Sequence, residues 1–227
     1  MQKNPAKAIT IQCCGSFTPP KGCVSTILAA LSWIPAEDLE GIGSMFLFEH
    51  MPPLTPGSNP DLERSIQEGL SLFAAYNGNG KGEPAHIILV LPNLYKPIPR
   101  FLHRSPALTL WFTENIAHEV AHHVIAEKRY ALRATPPAAR VQSEEEFAEL
   151  YAESLVAKMT SARVNQLGNL LLKIAAEVNY YKGVYFWTKQ KYQAAAECFY
   201  LAIQVRRNHR KAAYWFWKSE ERAKNQL

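Results

Sequence analysis

Cysteine is scarce in this sequence, long apolar runs are missing and charge is in no excess; each shortage removes a class of protein. Four cysteines (Cys13, Cys14, Cys23 and Cys198) in 227 residues do not make the disulfide framework of a small secreted domain. Their spacing matches no zinc knuckle, and small thiols in a strand or a buried helix pack well. The longest uncharged, mainly apolar stretch, residues 23–34, falls well short of the ~20 residues a membrane span needs. No apolar leader follows Lys3 and Lys7. The expectation is a cytoplasmic protein with no membrane span. Charged residues are 20% and apolar residues 48%, which excludes a disordered chain, a collagen-like chain and a coiled coil. The length suits one good-sized domain, or one domain with a small appendage.

The formal net charge of +5 is unevenly spread. Residues 180–227 hold ten Lys and Arg against three Glu, a net of +7, which leaves −2 on the rest. A basic tail of this kind can touch nucleic acid, an acidic protein or a membrane surface, or serve simply as a solvated helical face.

Hydrophobic periodicity divides the chain into strands first and helices afterwards. Residues 8–12 read as a strand, 23–34 as a buried helix stopped by Pro35, and 42–50 as a second strand. Residues 61–69 read as one or two helical turns. Residues 71–76 and 85–91 flank the turn sequence Asn77-Gly78-Asn79-Gly80-Lys81-Gly82, which is a hairpin signal. Pro92, Pro97 and Pro99 make the next stretch irregular. Residues 108–128 lack Pro and Gly and form about six helical turns. Residues 129–142, with Pro136-Pro137, read as a loop. Ser143 and Glu146 then make a capping box that opens another helix, running to about residue 163. The fold class expected is α+β, with a small mixed or antiparallel sheet in a first domain of residues 1–164 and an all-helical extension over 165–227.

The long helix carries His118-Glu119-Val120-Ala121-His122, the His-Glu-x-x-His zinc signature. Residues four apart share a helical face, so His118 and His122 can reach one metal. Glu119 then stands beside that metal, placed to take a proton from water. Between Asn115 and Ala126 it is the only charged side chain. His123 points about 100° away from His122 and reads as a packed or hydrogen-bonded histidine.

A catalytic zinc needs a third protein ligand and an open position. The next helix offers five glutamates between Glu144 and Glu153, with no His or Cys. Glu145 and Glu149 lie on one face, one turn apart. One can bind the metal and the other can orient a histidine through its free ring nitrogen.

The two motifs together resemble the gluzincin metallopeptidases, whose third zinc ligand is a Glu on a second helix. The likeness is closest to the ImmA/IrrE-type and HtpX-type pattern, Glu-x-x-Ala-Asp/Asn, often followed by an aromatic and Ala. Here the matching residues are Glu145-Glu146-Phe147-Ala148-Glu149-Leu150-Tyr151-Ala152. The resemblance covers residues 108–158 and implies a zincin-like domain with Glu145 as the third ligand. It departs at Glu149, where the family has Asp or Asn. It also implies an edge strand beside the active-site helix that takes extended substrate by strand addition. Residues 85–91 are the candidate.

The expected function is a zinc metallopeptidase with Zn2+ held by His118, His122 and Glu145 and Glu119 as general base. An oxyanion stabiliser is expected among Tyr95, His103, Arg104, Tyr130 and Tyr151. His50, His86 and His209 are not expected to be ligands. The C-terminal stretch resembles one degenerate tetratricopeptide-type hairpin, with Gly183, Phe186, Ala195, Phe199 and Ala202 at that family's spacings. The expected partners are a peptide or protein substrate and a protein at the C-terminal helices, with nucleic acid not expected. The alternative is a regulatory or interaction protein whose zinc is structural and whose basic helical tail binds a protein or nucleic-acid partner.

Overall fold

A computed structural model describes residues 9–50, 74–77, 84–127, 137–160 and 163–225. Its elements, in chain order, are β1 (Thr10–Cys13), α1 (Cys23–Leu31), a 3-10 turn (Ala36–Asp38), β2 (Ile42–Phe48), β3 (Ala74–Asn77), β4 (Ala85–Val90) and α2 (Leu91–Tyr95). A second 3-10 turn (Arg100–Leu102) leads to α3 (Pro106–Glu127), α4 (Pro137–Thr160), α5 (Arg163–Thr188), α6 (Tyr192–Val205) and α7 (Arg210–Lys224). Strands come first and long helices follow, which is an α+β arrangement. Among the described residues, no helix is long and apolar enough to cross a membrane. The expected turns at residues 61–69 and the hairpin turn at 78–82 lie outside the described residues.

The sheet is mixed, in the order β1-β2-β4-β3. β1 and β4 run parallel to β2, and β3 runs antiparallel to β4. In β2, Met45 and Leu47 are buried on one face while Phe46 and Phe48 are half covered on the other. β4 has no such alternation: Ile87, Ile88, Leu89 and Val90 are all buried, as in a strand covered on both faces. The reading of residues 85–91 as an edge strand is therefore corrected. β4 is hydrogen-bonded on both sides and has no free edge; the outer position belongs to β3.

Two proline readings also change. Pro92 lies in the first turn of α2, where its missing N–H removes no helical bond. Pro137 likewise opens α4, six residues before the expected capping box, so Ser143 lies inside the helix and does not cap it.

The chain divides into two compact units. The first, Met1–Leu94 with Phe112–Ser161, contains the sheet, α1 and the part of α3 with both motif histidines. Its core gathers Ile27, Leu31, Met45, Leu47, Ile87, Leu89 and Phe112, all buried. The second unit, Tyr95–Trp111 with Ala162–Leu227, is built on α5, α6 and α7. Ala195, Phe199, Ala202 and Ala212 form its core, with Tyr180, Val184, Trp187 and Trp215 packed around them. Gly183 makes this packing close: a Cβ there would lie 2.6 Å from the Phe199 ring. Asn179, buried, donates its side-chain N–H to the Pro97 carbonyl at 2.7 Å.

Candidate metal centre

α3 is apolar nearly all round, the composition of a buried helix. His118 and His122 lie one turn apart on its remaining partly exposed face. Their Nε2 atoms are 3.3 Å apart. Glu145 reaches the same point from α4. Its Oε2 lies 3.3 Å from His118 Nε2, and its Oε1 lies 3.4 Å from His122 Nε2. These three residues form one group with ligand-type atoms within 4.8 Å of one another.

The separations have a chemical meaning. For ligand bonds of about 2.0–2.1 Å in a tetrahedron, neighbouring donor atoms stand about 3.3 Å apart. Two imidazole nitrogens and a carboxylate, with a different carboxylate oxygen nearest each histidine, make a donor set that could hold a metal ion. The histidine side chains are about one-fifth exposed and Glu145 about half exposed, so the group opens on the Glu145 side. Glu149, one turn further along α4, is exposed and stands outside the group. Of the two glutamates the sequence offered, Glu145 is the one that meets the histidines.

Glu119 is buried, 8% exposed, on the flank of α3 next to His122.

Two further contacts, whose partners the sequence does not reveal, hold the helices. His123, buried, has Nε2 2.7 Å from the Glu40 carbonyl oxygen. Gly41 follows with φ +90, and a Cβ there would come within 3.2 Å of the His123 ring. On α4, Tyr151 donates its hydroxyl to Asp38 at 2.7 Å. Burial, with the bond to Asp38 and the nearby carboxylates, holds the Tyr151 proton far above the usual phenol range. Residues 38–41 thus bind both the helix that carries the histidines and the helix that carries Glu145. The signals in the sequence were a glycine before a strand, an acid three residues ahead of it, and a histidine that reads as packed or hydrogen-bonded.

No family model, curated protein or solved structure matches the chain.

The remaining candidates find other surroundings. Tyr151 is engaged with Asp38. Tyr95 packs edge-on against His103 at 4.9 Å, and His103 Nε2 lies 2.8 Å from the Ile98 oxygen. Arg104 is exposed, and Tyr130 lies outside the described residues. His209 is buried, and its Nδ1 accepts from the Ala212 N–H at the start of α7. His86 packs on Phe46, and burial lowers its pKa. None of the four cysteines is in a disulfide.

Proposed function

We propose that the chain is a zinc-dependent peptidase. The observation that carries this reading is the arrival of Glu145, from a second helix, within 3.4 Å of both Nε2 atoms of an His-Glu-x-x-His pair. Zinc would be held by His118, His122 and Glu145 through two neutral imidazoles and one carboxylate. When bound, it supplies Lewis acidity to a carbonyl and lowers the pKa of water.

The chain's own residues do the rest. Glu119 accepts the proton of the attacking water and delivers it to the leaving nitrogen, as a general base and then a general acid. The open side next to Glu145 admits a peptide. With β4 enclosed in the sheet, strand addition falls to the outer edge of β3, which among the described residues pairs with no strand on that side.

The test is metal content of the purified chain by elemental analysis, beside Glu145→Ala and Glu149→Ala. Near-stoichiometric zinc, lost with Glu145→Ala and kept with Glu149→Ala, is the expected result. Zinc kept without Glu145 removes the three-ligand site, and no zinc after reconstitution removes the reading.

A further inference from the structure

The second unit carries an exposed apolar stripe that its own core does not use. Leu167, Leu170, Ile174, Val178, Tyr181 and Tyr185 recur along α5 at intervals of three and four residues. At about 100° per residue they fall within an arc of roughly 80°, one face over about five turns. Leu167, Leu170, Tyr181 and Tyr185 are each at least half exposed. The C-terminal half of this stripe forms one wall of a groove of about 1070 Å3, whose other side is α6 with Cys198 and Leu201.

The rim of the groove is basic. Lys96, Lys173, Lys182 and Arg206 line it against two carboxylates, Glu177 and Glu197. Both carboxylates are engaged: Glu197 pairs with Lys96, and Glu177 lies 3.8 Å from Arg206 and 3.4 Å from His209. Lys173 and Lys182 remain as the outward charge. Their positions on the helix put them on opposite flanks of the stripe, about 13 Å apart along the axis.

We propose that this groove docks an acidic amphipathic helix of a partner protein, its apolar side on the Ile174–Tyr181–Tyr185 wall and its carboxylates against Lys173 and Lys182. The match is the helix-in-groove mode, read by anchors at i, i+3/i+4 and i+7. Charge complementarity selects the acidic partner and rejects basic ones. A phosphate backbone is the poorer match, because two carboxylates line the groove and its wall is apolar. A small molecule would leave Leu167 and Leu170 uncovered. The proposal does not depend on the metal centre.

The experiment uses the full chain and two labelled synthetic helices, read by fluorescence anisotropy. Both carry Leu at the anchor positions; one has Glu on both flanks and the other has Lys at the same places. The acidic peptide is expected to bind, more weakly as salt rises. Tyr181→Ala is expected to weaken it by about tenfold. The double variant Lys173→Glu/Lys182→Glu is expected to prefer the basic peptide. All three positions are exposed, and circular dichroism checks that the variants stay folded. Failure of the acidic peptide to bind overturns the proposal, as does equal binding of the two peptides or an unchanged preference in the double variant. Binding of polyuridylate that the double variant abolishes, with no competition from the acidic peptide, reassigns the surface to nucleic acid and also overturns it.

Discussion

Glu119 joins a buried position to a neighbouring turn that carries His122, and a buried carboxylate is costly unless it is satisfied. Glu119→Gln keeps its shape and removes its basicity. Zinc content should stay unchanged in this variant, while peptide cleavage should fall by about 10²–10⁴-fold, the usual worth of a general base. Cleavage at the original rate would remove Glu119 from the chemistry. A second prediction concerns Gly183. Alanine in a helix interior is favoured over glycine by up to about 1 kcal/mol. A Cβ at this position, however, would press on the Phe199 ring at 2.6 Å, and overpacking costs about 1–3 kcal/mol. The clash outweighs the propensity, so Gly183→Ala should lower the urea midpoint with an unchanged slope. These residues were the legible part of the molecule. His118 and His122 show themselves because the helical period alone brings positions i and i+4 together. Glu145 was one of two candidates on its face; the family resemblance favoured it, and the approach of α4 brings it to the histidines.

Elements were less legible than residues, for two physical reasons. An unbroken apolar run such as Ile87–Val90 tells that a strand is buried, without telling which strands flank it; strand order is set by tertiary pairing, and so β4 proved central. Proline also has two meanings. Pro136-Pro137 read as a break, yet Pro137 opens α4 because a first-turn N–H needs no partner. The segment 38–41 acts on a similar scale, since it binds α3 through His123 and α4 through Tyr151. Tyr151→Phe removes a hydrogen bond to a charged acceptor, worth about 1.5–3 kcal/mol. The same bond has a pH signature. The folded chain holds the Tyr151 proton above the ordinary phenol value of 10.0. Below that value both folded and unfolded chains keep the proton, and the contribution to stability is complete. Above it the unfolded chain ionises first, so stability falls as pH rises. Urea titrations between neutral pH and the alkaline limb should show that fall in the native chain and a shallower one in Tyr151→Phe. Parallel curves would mean that Tyr151 is not the group responsible.

At the scale of the whole molecule, the ligand group and the docking groove lie in different units. His118, His122 and Glu145 belong to the unit with Phe112–Ser161, and the groove belongs to the unit with Ala162–Leu227. One helix is shared: α3 has Pro106–Trp111 in the second unit and Phe112 onward in the first. A ligand that binds only the folded state stabilises it by RT ln(1 + [L]/Kd), about 2.7 kcal/mol at a hundredfold excess over Kd. That stabilisation reaches only the segments whose opening breaks the site. Zinc added to metal-free protein should therefore slow amide exchange in residues 112–127 and 143–158, and leave the α6–α7 hairpin unchanged. Hydrogen exchange read by mass spectrometry separates these segments. Slowing confined to the first unit would establish two cooperative units within one chain. Equal slowing along α5, α6 and α7 would make the molecule one cooperative unit, in which metal in one unit and a partner helix on the other are linked through folding itself.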